Sequence, residues 1–131
     1  MIRGTVAPFQ FNLPCSFNEL YKVEVKFWQD GNNGTVEKPL PIVKSIEQCG
    51  CDKNNSKQLT VFLTEEETLR FSDKKKAWVQ LRATPKDGRT FGCKKTAIPV
   101  YPIHGDEPLG DVVFPEPDEN GVIFLDGGRI V

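Results

Sequence analysis

The chain holds a single histidine, His104, and a single methionine among 131 residues. General acid–base and metal sites lean on imidazole, so one histidine narrows the scope for enzyme chemistry. No apolar run approaches the roughly twenty residues a membrane helix needs. The opening Met1-Ile2-Arg3-Gly4-Thr5 lacks the apolar core of a secretory signal, which points to synthesis and use in the cytoplasm unless a larger particle carries the protein out. No dense basic patch of the kind nucleic-acid binders carry is present; the longest basic run, Lys74-Lys75-Lys76, follows Ser72-Asp73 and reads as a solvated turn. No Asp-X-Asp-X-Asp-Gly calcium loop occurs, and Gly127-Gly128 is followed by no Lys-Ser/Thr that would make a phosphate loop.

What is present divides at residue 102. Residues 1–101 carry sixteen Lys and Arg against eleven Asp and Glu; residues 102–131 carry seven acids against one base, Arg129. The split hides inside a net charge of −1. The organisation expected is a β-domain, 1–101, followed by an acidic, Pro/Gly-rich docking tail, 102–131.

Within the first part, period-2 patterning dominates. Phe9, Phe11 and Leu13 alternate with Gln10 and Asn12 and stop at Pro14. Tyr21, Val23, Val25 and Phe27 alternate with Lys22, Glu24 and Lys26, giving one core face and one wet face. Asp30–Gly34 is a turn. Pro39 and Pro41 break residues 35–48 and mark an edge or a crossing. After a loop over Asp52–Lys57, Leu59, Val61 and Leu63 form the next strand. Thr64-Glu65-Glu66-Glu67 is a capping box predicting one short helical turn, with Leu69 and Phe71 under the sheet. Val79, Leu81 and Ala83 make a strand whose other face holds Trp78, Gln80 and Arg82. Pro85–Gly88 turns the chain into a return strand over about 90–101. Six to eight short strands at this spacing predict an all-β, Ig-like β-sandwich with one helical turn and an extended C-terminal tail; a small barrel is the alternative.

Four cysteines, Cys15, Cys49, Cys51 and Cys93, leave three readings open: thiols that pack as small hydrophobes, one or two disulfides, or a zinc site. The Cys-Gly-Cys spacing with two isolated cysteines is not a pair of knuckles, so these are weak metal candidates and no cofactor is expected. His104, at the tail junction, is expected to be a surface residue. The acids Glu116, Asp118 and Glu119 are expected to serve solubility and docking. Trp28 and Trp78 fall on the outer faces of their strands, beside Lys26 and Arg82, and are candidate partner-binding residues unless another layer covers them. Val122, Ile123, Phe124 and Leu125 form a compact apolar run between Gly121 and Gly127 that needs a home, on this body or on another chain.

The opening Met1–Thr5 followed by Phe9-X-Phe-X-Leu-Pro14, the stretch Leu59–Phe71, and Val79-Gln80-Leu81-Arg82 with Asp87-Gly88 resemble small proteins encoded in phages and prophages of gut Firmicutes. The match is scattered over residues 1–101 and departs at Cys49-Gly50-Cys51 and in the tail. The resemblance implies a phage origin and a role in the virion or its assembly; members are mostly uncharacterised, so it assigns no functional residues. The function expected is therefore a non-enzymatic phage structural or assembly protein. It would be located in the virion, made in the bacterial host cytoplasm, and would bind other virion proteins or copies of itself, with no nucleic-acid or membrane partner. A carbohydrate- or surface-binding module using Trp28, Trp78 and Tyr101 is the alternative, and a small zinc-stabilised domain a third reading.

Overall fold

The structure, a computed structural model, describes residues 1–102 and 123–125. It is an all-β sandwich. The strands are β1 (Ala7–Asn12), β2 (Leu20–Trp28), β3 (Ile42–Ser45), β4 (Cys49–Asp52), β5 (Asn55–Leu63), β6 (Ala77–Pro85), β7 (Phe91–Gly92), β8 (Thr96–Ile98) and β9 (Ile123–Leu125). One sheet runs β4-β5-β1-β9; the other runs β3-β2-β6, with β7 and β8 both on the far side of β6. All pairs are antiparallel except β1 with β9.

The alternation of apolar side chains fixes which face is inside. Phe9 and Phe11 of β1, Leu59, Val61 and Leu63 of β5, Val25 and Phe27 of β2, and Val79 and Leu81 of β6 are fully buried in one core. The sheets meet where Phe9 packs on Phe27, ring centroids 5.1 Å apart. Tyr21 is not on the core face as its place in the alternation predicted: it is 69% exposed, and Leu20 is buried instead. An irregularity in the β2–β6 register between Leu20 and Lys22 slips the pleat by one residue there.

The helical turn α1 (Glu65–Thr68) has the predicted box: Thr64 Oγ1 accepts from the Glu67 amide at 3.2 Å, and Glu67 Oε1 accepts from the Thr64 amide at 2.9 Å. The same Glu67 oxygen receives Lys44 Nζ at 2.6 Å, from an inward-pointing lysine on the edge strand β3. Thr68, wholly buried, donates to the Thr5 and Glu65 carbonyls and accepts from the Gly4 amide, tying the N-terminal segment to α1. Of the two residues expected under the sheet, Phe71 is buried and Leu69 is only half-buried.

The loop expected over Asp52–Lys57 is a tight turn instead: β4 runs to Asp52, β5 starts at Asn55, and β4 pairs with β5 as the outer strand of its sheet. The return strand is likewise two short pieces. Gly92 pairs with Arg82 and Thr96 with Val79, so Cys93, Lys94 and Lys95 face only Gln80 and Leu81. This extra residue is a bulge, and the Leu81 amide donates to Cys93 Sγ at 3.2 Å where a ladder carbonyl would otherwise stand.

Candidate functional site

Two features of the sandwich are candidates for work beyond folding. The first is the outer face of the β3-β2-β6 sheet. Trp28 and Trp78 lie directly opposite each other across β2 and β6, on the face away from the core, and both are half-buried. Their setting is cationic. Lys26 Nζ lies 5.4 Å from the centroid of Trp28, and Lys76 and Lys95 lie 4.5 and 4.3 Å from that of Trp78. The Trp78 indole N–H donates to Asp30 Oδ2 at 2.9 Å.

Gln29 positions this corner. Its buried amide uses all four of its hydrogen-bonding sites: Nε2 donates to the Ser72 and Lys75 carbonyls, and Oε1 accepts from the Ser72 amide and from Asn32 Nδ2, all within 2.9 Å. It thereby locks the β2 turn, with Asp30, against the segment that carries Lys75 and Lys76. The turn itself requires glycine at Gly34, with φ +69°, where a Cβ would stand 2.2 Å from the Lys38 carbonyl oxygen.

Beside the tryptophans, the bulge opens a groove of about 580 Å³ lined by Gln80, Arg82, Phe91, Cys93, Lys94 and Lys95. No sequence pattern marks its position, because the extra residue at 93–95 is visible only once the register on both sides is known. The exposed run Lys74–Lys76 is a turn, as expected, but Lys76 is also part of the cationic cover of Trp78.

The second feature is the free end of the other sheet. Ile123–Leu125 adds to β1 in parallel, in register Phe9↔Ile123, Gln10↔Phe124 and Phe11↔Leu125. Of the apolar run singled out from the sequence, these three residues therefore sit on the edge of this chain's own sheet, paired through backbone. Val122, His104 and the acids 106–119 lie outside the described residues.

The cysteines do not converge. Cys49 and Cys51 are on β4 of one sheet, Cys93 is in the bulge beside β6 of the other, and Cys15 follows β1. All four are thiols, and among the described residues no three His, Cys, Asp or Glu side chains gather as a metal site would need. Burial pushes the Cys49 thiol up to about 11, and it donates to the Ser45 carbonyl. Cys15 is also raised, by desolvation first and then by Glu19 and Asp87. Both shifts make these thiols poorer nucleophiles than an ordinary exposed cysteine. Among the described residues the four cysteines are thus spread over both sheets and share no single site.

No family model matches the chain, and neither curated proteins nor solved structures show a significant match to it. Among the described residues no helix is long and apolar enough to cross a membrane.

Proposed function

We propose that this chain is a non-enzymatic structural or assembly protein of a phage-type particle, acting by docking its β-domain and tail onto other protein chains. The observation that carries the reading is the completion of β1 by residues 123–125, at the far end of a long Pro/Gly-rich acidic connection. A sheet edge filled by a short strand on such a tether can take the equivalent strand from a neighbour. The backbone bonds are the same whichever chain supplies it, and exchange of an identical element is a low-cost route to assembly. The resemblance of residues 1–101 to phage-encoded proteins supports the setting.

Strand addition is tested with the double substitution I123P/F124P. Adjacent amides point to opposite edges of a strand, so the pair removes a ladder donor in whichever phase β9 lies. The folded body should persist, with reduced incorporation into particles and faster amide exchange along β1. Unchanged incorporation, both for this variant and after deletion of 102–131, overturns the reading.

The carbohydrate- or surface-binding alternative is favoured by one observation, the cross-strand pair Trp28–Trp78 on an outer face. Lysines already stand over both rings, where a sugar would have to stack. Glycan binding abolished by Trp→Ala at either position would establish it.

A further inference from the structure

The outer face of the β3-β2-β6 sheet carries an excess of cations, and one of its two carboxylates, Glu24, lies directly across from Arg82. Lys22, Lys26, Lys76, Arg82, Lys94 and Lys95 are all exposed on or beside it, against the carboxylates Glu24 and Asp30. Asp30 is engaged by the Trp78 indole. Among the described residues the ion pairs are Lys44–Glu67 and Arg70–Glu66, both elsewhere, so none of the six cations has a carboxylate within salt-bridge distance. The cations follow one strip, from Lys76 past Trp78 and Lys95 into the bulge groove with Lys94 and Arg82.

We propose that this strip is the docking site for the acidic segment Asp106–Glu119 of a second copy of the chain. The inference rests on the assembly reading and names the partner for this face. Charge complementarity selects the occupant. The sequence 106–119 holds Asp106, Glu107, Asp111, Glu116, Asp118 and Glu119 with no base. A run of carboxylates matches the shallow basic groove along β6, and Val112-Val113-Phe114 offers apolar side chains to the groove wall at Phe91.

Single-stranded nucleic acid is the competing occupant of a basic face with aromatics. It requires open ring faces for base stacking, and here Trp78 is already approached by two ammonium groups and Trp28 by one. That arrangement suits carboxylates, which meet the ammoniums and leave the rings covered. Face-to-segment contact between copies is head-to-tail, so it propagates and closes into a ring when the rotation permits.

The test uses the full chain. Sedimentation velocity across concentration in about 50 mM salt should show self-association that is lost in about 0.5 M salt, where charge pairs are screened. The face variant R82E/K95E and the segment variant E116K/D118K/E119K should each need about tenfold more protein to associate. Mixing the two should restore association, because each then complements the other. Trp28 and Trp78 are the chain's two tryptophans, so intrinsic emission should follow the same curves.

Failure of the mixture to restore association overturns the proposal. So does an emission change in the segment variant that is independent of concentration in a monomer, which would place the segment on its own face. An oligothymidylate of about 20 nucleotides that binds more tightly than a synthetic 106–119 peptide, and is lost in R82E/K95E, overturns it in favour of nucleic acid. Wild-type chain that enters particles while failing these tests defeats this proposal alone; chain that never enters particles defeats the assembly reading beneath it.

Discussion

Substitution of Glu67 should destabilise the sandwich out of proportion to its place on a four-residue helical turn. One carboxylate oxygen holds two partners, Lys44 Nζ at 2.6 Å and the Thr64 amide at 2.9 Å. The side chains of Lys44 and Glu67 are only 9% and 15% exposed. Removing one partner of a buried pair strands the other charge, at a cost of about 3–5 kcal/mol. Lys44 lies on an edge strand, so its flexible stem can carry the ammonium toward water, which places E67A near the lower figure. Loss of half the capping box adds about 0.5–1 kcal/mol. We expect about 3–4 kcal/mol for E67A, and about 2–3 kcal/mol for E67Q, which keeps an acceptor for the Thr64 amide. K44M removes the charge but keeps the stem, and should cost about 1–2 kcal/mol, since the remaining carboxylate is still bonded and partly wet. The cycle closed by K44M/E67Q should return a coupling of about 1–3 kcal/mol.

pH gives an independent check on the same group. Desolvation pushes the Glu67 carboxyl up, but the hydrogen bonds from Lys44 and Thr64 and the Lys44 charge together hold it below its ordinary value of 4.5. A folded pKa below the unfolded one means the unfolded chain binds more protons between the two. This stabilisation is full above about 4.5 and lost as pH falls through the lowered value. K44M should therefore move the acid-unfolding midpoint upward. Urea melts at pH 7 and pH 4, followed by tryptophan emission, measure both effects. An E67Q variant within about 0.5 kcal/mol of wild type at pH 7 refutes the claim that the pair is buried and coupled.

Gln29→Leu should cost about 2–3 kcal/mol, because the Ser72 amide and the Ser72 and Lys75 carbonyls all lose their partner; it should also shift Trp78 emission by releasing Asp30, and a melt unchanged from wild type would contradict this. Cys49 should react with iodoacetamide about a hundredfold more slowly at pH 8.5 than an ordinary thiol, from a pKa raised from 9.0 to about 11. Mass spectrometry of partly alkylated, folded protein reads that rate, and parity with a free peptide thiol would show that the site is not buried.

The strands that period-2 alternation makes explicit were legible: β1, most of β2, β5 and β6 bury the residues their patterns predicted. The helical turn was legible because a capping box is a local device, closed within four residues. What escaped was nonlocal. The displacement of Tyr21 and the bulge at 93–95 are one-residue slips, each set by pairing to a distant partner. The strand character of Cys49–Asp52 was hidden by its composition: Cys-Gly-Cys-Asp carries no alternation, and pairing to β5 supplies the order instead. The outward placement of Trp28 and Trp78 follows from strand phase, but their direct opposition needs the β2–β6 register, and the covering lysines come from two further segments.

The two sheets solve the edge problem differently, and that difference locates where other chains can act. On one flank, β3 ends its sheet with Lys44 turned inward and tied to Glu67. An inward charge on an edge discourages a further strand, because pairing there would bury the lysine more deeply. The adjoining β4 is short and contains Gly50, a weak template for addition. On the opposite flank, β1 is a regular six-residue strand flanked on its inner side by β5, and among the described residues its outer edge is met by Ile123–Leu125 of β9. The protected flank is built from local sequence, whereas the receptive one depends on a segment far along the chain. A backbone edge gives affinity without selectivity, since any extended chain presents the same groups. On the docking proposal, the basic face would supply the selectivity by favouring acidic segments. On the proposed assembly role, incorporation should depend on ionic strength through the face and on strand addition through β1. Combining I123P/F124P with R82E/K95E should reduce incorporation by about the product of the separate losses if the surfaces act independently, and by less if one must engage before the other.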